Sequence, residues 1–327
     1  MIRYLQNSIA KSGATLWVVA LYTLIIWLLA GGVQHQWWLQ LVCLMMTAYL
    51  FIELNNSDAL IRVRSRMVTS TFLVLYASFP MLFGSLVSHL IYFSLTTFFL
   101  ITFSTYQNPQ ARGRMYLAFL LISVCSMADI RLLFLVPFLW LLCATQLQSL
   151  SWHTWGTSIL GLITPYWLVT PLLFWSDFQQ KAVEHFLQLQ TFSKPFHLGI
   201  LGDSQKLTLT LILLLSAISI IHLWQKAYED RIRTRQIYGF FTWILLLATL
   251  WLTVQPILYE LLLPVIIVCA SPLIAHFFAL TNSKPTNILF IVSSVLFMLL
   301  TANSLYPTVL PLLFSELTNL WNGLLNF

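Results

Sequence analysis

Long apolar segments follow one another along almost the whole chain and are separated by short polar stretches. Each is close to the length of about 20 residues that a helix needs to cross a bilayer core of about 30 Å. The segments lack the residue-by-residue alternation typical of a transmembrane barrel, so the pattern predicts helices. We predict eleven spans: 14–33, 36–54, 68–84, 87–104, 115–129, 131–147, 153–174, 207–224, 237–254, 257–279 and 285–303.

Two places leave the number of spans open. The segments 115–129 and 131–147 are short and meet at Asp129 and Arg131, so they form either two crossings or a re-entrant hairpin. Residues 305–327 carry one charge, Glu316, and repeat leucines at helical spacing. We expect an interfacial helix on the outer surface there, with a twelfth span as the alternative. The predicted fold is therefore an all-α polytopic transmembrane helix bundle of about eleven spans, within a range of nine to twelve.

Composition strengthens this interpretation. Only 8% of the residues are charged and 59% are hydrophobic, with a mean hydropathy of +0.84, whereas soluble domains carry about 25% charged residues. So few charges cannot wet the surface of a 37.7 kDa particle, which excludes a soluble enzyme. The four cysteines all fall within apolar segments and form no C-x-x-C pair, so we interpret them as small buried side chains.

The basic residues predict the orientation. If the N-terminus is cytoplasmic, 12 of the 16 Lys and Arg residues lie inside and 4 lie outside, as the positive-inside rule requires. The inner set is Arg3, Lys11, Arg62, Arg64, Arg66, Arg112, Arg114, Lys226, Arg231, Arg233, Arg235 and Lys284, and the outer set is Arg131, Lys181, Lys194 and Lys206. This asymmetry also explains the basic pI, so we expect no nucleic-acid partner.

One sizeable loop, residues 175–206, is predicted on the outer face of this single membrane domain, 1–327. Its first part, 175–191, places Phe178, Phe186 and Leu189 on one side of a helical wheel and polar side chains elsewhere. This pattern predicts an amphipathic helix lying on the membrane.

Three ionisable residues are candidates for chemistry because charges within a bilayer are costly and usually functional. Glu260 lies near the outer end of a span that Pro264 and Pro272 interrupt, where it could act as a base, a proton carrier or a cation ligand. The alternative is an interfacial carboxylate bonded to a neighbouring helix. Asp129 and Arg131 could hold a phosphate at a hairpin tip, or could simply mark the outer interface.

Further candidates lie in the outer loop. His185 and Lys181, above the place where Glu260 and Asp129 emerge, would supply an acid–base group and a cation for a lipid-linked phosphate. The same residues would also occur in an ordinary hydrated loop. His222 and His276 lie near the cytoplasmic ends of their spans and could meet, but we predict neither a metal site nor a cofactor.

Several motifs resemble an uncharacterised family of multipass inner-membrane proteins from Bacteroidota. They are ELNNSDALIRVRSRM at 53–67, Ser78-Phe79-Pro80, Thr105-Tyr106-Gln107, FLVPFLWL at 134–141 and GLITPYWLV at 161–169. The resemblance implies a multi-pass protein of the cell inner membrane and no named activity. A looser similarity is to glycosyltransferases and ligases that use polyprenyl-linked sugars, although the first outer loop lacks the acidic residue of one such class.

The leading functional hypothesis is a membrane protein of cell-envelope biogenesis that handles a lipid-linked glycan at the outer leaflet. In that case Glu260 is the acid–base group, Asp129 and Arg131 orient and clamp the phosphate, and His185 or Lys181 assists. The alternatives are a non-catalytic scaffold that binds other membrane subunits, and a transporter. Expected partners are membrane lipids, a polyprenyl-linked substrate or other membrane subunits.

Overall fold

The computed structural model describes residues 4–63, 65–171, 176–191, 195–196 and 198–306, and within these ranges it contains helices and no strands. The α-helices are α1 Leu5–Lys11, α2 Ala14–Leu29, α3 Trp38–Asp58, α4 Met67–Ala77, α5 Leu86–Phe103, α6 Arg112–Ser126, α7 Val136–Thr145, α8 Trp152–Val169, α9 Ser176–Leu187, α10 Asp203–Gln225, α11 Ile232–Val254, α12 Tyr259–Leu280 and α13 Lys284–Leu305. Short 3₁₀ turns join several of them, at Pro80–Leu82, Ile130–Leu135, Gln188–Gln190, Leu198–Ile200, Ala227–Glu229 and Pro256–Leu258.

Each predicted span overlaps a helix in the described residues, and the architecture is consistent with a helical membrane bundle. In the described part of the chain, six helices are long and apolar enough to cross a bilayer, namely α3, α5, α10, α11, α12 with its preceding turn, and α13. A seventh is added if α1 and α2 count as one bent span. The other predicted spans are shorter or less apolar helices.

Proline and local turns explain two of the shorter helices. The predicted span 68–84 is an eleven-residue helix, α4, that stops at Ala77 and is followed by a 3₁₀ turn beginning at Pro80. The predicted span 131–147 begins instead as a 3₁₀ turn capped by Asp129 and becomes α-helical at Val136. In both cases proline lies at the first or second position of a new helical segment, where its missing N–H costs nothing.

Helix α12 forms the centre of the bundle. Every residue from Leu261 to Ala279 is buried, and the helix packs against α4, α5, α10 and α11. Its sequence is apolar on all sides, which is the pattern expected of a helix surrounded by others. The interruptions at Pro264 and Pro272 therefore face protein, where neighbouring helices exclude lipid from the freed carbonyl groups.

The charged side chains gather at two opposite ends of the bundle. At one end the first turn of α12 meets the first turn of α5, where Ser85 donates a hydrogen bond to Glu260. At the other end α3 meets α11, where Asp58 pairs with Arg233. We call these the Glu260 end and the Arg233 end.

The segments 115–129 and 131–147 form a hairpin that runs between these ends. Its tip, at Asp129–Leu135, lies at the Glu260 end, because the ring of Phe134 is 5.8 Å from that of Trp251 near the last turn of α11. The return segment ends at the Arg233 end, where Gln107 N–H donates to the Leu147 carbonyl at 2.9 Å. The hairpin therefore extends from one end of the bundle to the other.

Helix α8 packs closely along α6. A β-carbon at Gly161 would lie 2.4 Å from the Tyr116 carbonyl oxygen. The two backbones can therefore approach so closely only because glycine occupies this position, as at small-residue contacts between membrane helices.

The N-terminal segment contains a helix that the sequence pattern did not predict. Helix α1 is bent 92° away from α2. The Gln6 side chain fixes it to the end of α12 through hydrogen bonds to the Phe278 carbonyl and the Thr281 hydroxyl. This short helix therefore lies across the Arg233 end of the bundle.

The predicted amphipathic helix at 175–191 is present as α9 and its following turn, with Phe178 and Phe186 exposed. The predicted interfacial helix at 305–327 falls, apart from its first two residues, outside the described residues. Those two residues lie at the end of α13.

Candidate functional site

Asp129 and Arg131 form a closed pair at the hairpin tip. The Arg131 Nε donates to Asp129 Oδ1 at 2.9 Å and Nη2 donates to Oδ2 at 2.7 Å, which is the bidentate fork geometry. Asp129 also caps the following turn by accepting the Arg131 backbone N–H at 3.0 Å. The Nε–Nη2 edge of the guanidinium is thus committed to its own neighbour, and Nη1, which donates to none of the described residues, is left for a ligand.

His185 joins this pair from a distant part of the chain. Helix α9 packs on α8, where the His185 ring lies 6.2 Å from that of Tyr166, and the Tyr166 hydroxyl is 2.7 Å from that of Ser126. The His185 ring interacts electrostatically with Asp129. Its Nε2 atom is buried and has no hydrogen-bond partner among the described residues. We call Ser126, Asp129, Arg131, Tyr166 and His185 the tip cluster.

The environment of His185 sets its charge. Burial lowers the pKa of His185, and the nearby Asp129 carboxylate offsets this only in part. The ring is therefore mainly neutral at pH 7, with a nitrogen that can accept a proton. Such a histidine is suited to general base chemistry.

Lys181 lies one helical turn before His185 on α9, and hence on the same face. Its ammonium group is exposed and lies 5.8 Å from the ring of Phe178. The contact holds the side chain beside its own helix. Lys181 therefore borders the tip cluster but forms no hydrogen bond or ion pair with its described residues.

Glu260 forms a separate group at the same end. Its Oε2 accepts from Ser85 at 3.0 Å, its Oε1 accepts from the Tyr259 hydroxyl at 3.2 Å, and its carbonyl accepts from Ser88 at 2.8 Å. The side chain is exposed and lies in the first turn of α12, where the helix dipole favours a negative charge. These contacts match the interfacial alternative: a carboxylate bonded to a neighbouring helix.

The most deeply buried charges lie at the Arg233 end and were not among the predicted site residues. Asp58 ends α3 with its side chain 2% exposed, and it pairs with Nη2 of Arg233, which also donates to the Phe103 carbonyl at 3.2 Å. The Arg233 guanidinium lies over the ring of Tyr106. This group therefore links α3, α5 and α11.

A second buried carboxylate, Asp230, lies beside it in the turn before α11. Its Oδ1 is 3.1 Å from Arg62 Nε and its Oδ2 is 3.2 Å from His276 Nε2, although neither contact has hydrogen-bond geometry. Burial alone would raise the pKa of the Asp230 carboxyl, but His276 and Arg62 hold it below its ordinary value. Arg62 also donates to the carbonyl and the carboxylate of Glu229, each at 3.0 Å.

Some of this group could have been found in the sequence. The sequence singled out His276 as a histidine that could meet His222, and in the structure the His222 ring packs on that of Phe277, the residue after His276. Arg62 was interpreted as a topological signal, and no local pattern connects it with Asp230, which is 168 residues away. Such a contact depends on which helices pack together.

No family model, curated protein or solved structure matches this chain. The resemblance to the Bacteroidota family therefore stays a prediction. In the part of the chain that the structure describes, no group of three or more His, Cys, Asp or Glu residues could hold a metal ion. The arguments on function below rest on the two polar groups themselves.

Proposed function

We propose that this chain is an inner-membrane protein of cell-envelope biogenesis that handles a lipid-linked glycan at the outer leaflet, with the tip cluster as its site. The observation that supports this is the convergence of His185 with the Asp129–Arg131 pair, which lies in a separate part of the chain. The cluster offers a cation with one open edge and a neutral, unpartnered imidazole nitrogen. A phosphate ester and an attacking hydroxyl are the ligands that these groups suit.

The proposed reaction is transfer of a glycan from a polyprenyl diphosphate carrier. The acceptor hydroxyl gives its proton to His185 Nε2 as its oxygen bonds to the sugar carbon. The bond from that carbon to the carrier oxygen breaks, and its electron pair leaves with the diphosphate. Arg131 would stabilise the negative charge on the leaving group, Asp129 orients Arg131, and Lys181 and Glu260 would contact the glycan from outside the cluster.

The proposed orientation places the Glu260 end outside and the N-terminus in the cytoplasm. It is supported by the cations grouped at the Arg233 end, among them Arg62, Lys226 and Arg233. A membrane-impermeant thiol reagent applied to intact cells tests it. Cysteine introduced at Lys206 should react from outside, and cysteine introduced at Arg235 should react only after the membrane is opened.

Binding tests the site directly. Purified protein in nanodiscs is titrated with undecaprenyl diphosphate, and uncharged undecaprenol serves as the control ligand. Arg131→Ala should weaken binding of the diphosphate by about 10-fold to 100-fold, because one charge-assisted contact is lost. Lys206→Ala is the matched control, since it removes an exposed cation that pairs with Asp203 at the start of α10.

A measurement of glycan transfer distinguishes an enzyme from a protein that only binds the lipid-linked substrate. With a diphosphate-linked sugar donor, His185→Gln should leave binding intact and lower the transfer rate by a factor of about 10² or more. Equal binding by the wild type, Arg131→Ala and Lys206→Ala would overturn the proposed site. Binding that depends on Arg131 without any turnover would leave a lipid-binding subunit and remove the catalytic proposal.

A transporter is a second candidate, because Asp230 and His276 form a buried acid–histidine pair against the proline-interrupted helix α12. Proteoliposomes with an encapsulated pH dye and an imposed membrane potential test it. Proton movement that His276→Gln abolishes and His185→Gln preserves would support transport. Absence of such movement in the wild type would refute proton conduction through this pair.

A further inference from the structure

A deep groove opens from the side of the bundle between α2 and α13. It encloses about 540 Å³ and is lined by five helices. Helix α12 forms the floor with Ile274 and Phe278, α4 lines the interior, and α1 covers the Arg233 end through Ser8 and Ser12. We call this space the α2–α13 groove.

The groove is closed toward the Glu260 end and open to the side. Tyr22 of α2 lies beside Thr301 of α13, and the Thr301 and Ser78 hydroxyl oxygens are 3.4 Å apart. At the rim, Val18 is 66% exposed and Val295 is 49% exposed. Both rim residues belong to apolar helices, so the opening faces the hydrocarbon of a bilayer if these helices cross it.

The lining suits a hydrocarbon chain. No Asp, Glu, Lys or Arg residue is among the groove-lining residues that the structure describes. Several of the hydroxyl groups in the lining are already bonded to backbone carbonyls: Thr15 donates to Ile9, Ser70 to Arg66 and Ser294 to Phe290. The groove therefore offers an occupant apolar contact and little hydrogen bonding.

The size argues against a protein occupant. A helix about 10 Å wide and about 30 Å long fills roughly 2,000 Å³, several times the volume of the groove. A single acyl chain is narrow and flexible enough to enter from the side. Each buried methylene group adds to its affinity.

Positive charge flanks the covered end. Lys11 ends α1 and Lys284 begins α13, and both are exposed. Helix α1 is tied to this region because Gln6 N–H donates to the Asn287 side chain at 3.0 Å. The sequence segments 1–20 and 280–306 contain no acidic residue, so nothing there opposes an anionic headgroup.

We propose that the α2–α13 groove binds one acyl chain of an anionic phospholipid from the leaflet at the Arg233 end, with the headgroup beside Lys11 and Lys284. This site is separate from the tip cluster and does not depend on its proposed function. A lipid seated there would contact α1, α2 and α13 together, whereas α2 otherwise packs mainly on α4 and α13 mainly on α10.

Native mass spectrometry of the full chain tests the proposal. The protein is stripped of lipid in detergent, exposed to vesicles of equal phosphatidylglycerol and phosphatidylethanolamine, and re-extracted. The wild type should retain one phosphatidylglycerol molecule. Val295→Trp and Val18→Trp, which fill the opening from opposite walls, should each lower its occupancy about tenfold or more.

Val292→Trp is the matched control for the blocking variants, because Val292 is similarly exposed on α13 and does not line the groove. It should retain the lipid. Two blocking variants are used so that misfolding of one still leaves a test. No retained lipid in the wild type, or equal retention by Val18→Trp, Val295→Trp and Val292→Trp, would overturn the binding site.

The headgroup is tested separately. The double variant Lys11→Gln, Lys284→Gln should lower the preference for phosphatidylglycerol over phosphatidylethanolamine by about fivefold for each lysine removed. Retention without any headgroup preference in the wild type would overturn the anionic part of the proposal. An unchanged headgroup preference in the double variant would overturn that part of the proposal as well.

Discussion

The two ends of the bundle hold their charges in different ways. At the Glu260 end, Asp129 pairs with Arg131 two residues away, and Glu260 is hydrogen-bonded to its neighbour Tyr259 and to Ser85. At the Arg233 end, Asp58 pairs with an arginine 175 residues away. The Asp129–Arg131 ion pair therefore depends on local chain geometry, whereas the Asp58–Arg233 ion pair, like the Ser85–Glu260 hydrogen bond, exists only when the helices are assembled.

Burial differs in the same direction. The side chains of Asp58 and Asp230 are each 2% exposed, whereas that of Asp129 is 12% exposed and Glu260 is an exposed residue. A buried charge that loses its partner is expensive, while an exposed one turns toward water. The residues that attract attention as isolated charges in an apolar sequence are therefore not those on which the packing depends most.

Removing the long-range partner should have the largest effect. Arg233→Met leaves the Asp58 carboxylate buried and uncompensated, and we expect a loss of about 2–4 kcal/mol in the free energy of unfolding. The estimate lies below the full cost of a buried pair because the Arg233 side chain is 41% exposed. Unfolding in detergent, followed by circular dichroism, measures it.

Two further variants sharpen this result. Arg235→Met removes an exposed cation from the same helix and should change stability little. The double variant Asp58→Asn, Arg233→Met should recover much of the loss, because no buried charge remains. Equal losses for Arg233→Met and Arg235→Met would show that the two ends do not differ in this way.

The local pair at the hairpin tip should matter less. Asp129→Asn removes the ion pair but keeps an oxygen that can cap the following turn, so we expect a loss of about 1 kcal/mol. Asp129→Ala removes both the ion pair and the cap and should lower the free energy of unfolding by about 2 kcal/mol. The same unfolding measurement distinguishes them. A loss in Asp129→Asn as large as that in Arg233→Met would contradict the comparison.

The smallest effect on stability is expected when the ion pairs of Glu229 with Arg62 and Lys226, at the surface of the Arg233 end, are removed. Hydrogen bonds from Lys226 and from Arg62 lower the pKa of Glu229 to about 2. Because the folded-state pKa of Glu229 lies below its ordinary value, the ionised carboxylate contributes to the stability of the fold. That contribution is fully present above about pH 4.5 and is lost as the pH falls through about 2. Lys226→Gln should move the loss to higher pH.

Carboxyl carbon chemical shifts followed by NMR measure this titration. Arg62→Gln should raise the pKa of Glu229 less than Lys226→Gln does, because the Lys226 bond is the larger cause of the shift. Lys284→Gln serves as a control on a distant cation at the same end. An unchanged Glu229 pKa in both Lys226→Gln and Arg62→Gln would show that the exposed bonds are not populated.

Several elements of the fold could be predicted from the pattern of the chain. The apolar segments became helices because backbone groups within long apolar segments must be satisfied internally. The amphipathic segment at 175–191 became α9. The predicted bounds were wrong mainly where local signals interrupt the helix, as at Pro80 after α4.

The candidate site was predictable only in part. Asp129 and Arg131 were predicted as a pair and His185 as a partner from the outer loop, and the structure brings His185 to the pair because α9 packs against Tyr166 on α8. Glu260 and Lys181 were also predicted as site residues, but Glu260 is bonded to Ser85 and Lys181 lies beside Phe178, both outside the tip cluster. A charged residue within an apolar segment can be recognised as unusual from the sequence. The sequence does not show which oppositely charged group that residue will face.

The sequence by itself determined the helical class, the positions of the helices and the separation of most basic residues from the apolar segments, because these depend on composition and local periodicity. Tertiary structure alone decided that α12 lies at the centre and that Asp58 meets Arg233. It also left a groove between α2 and α13. Apolar helix faces are alike in sequence, so their partners are chosen by shape and by a few buried polar contacts.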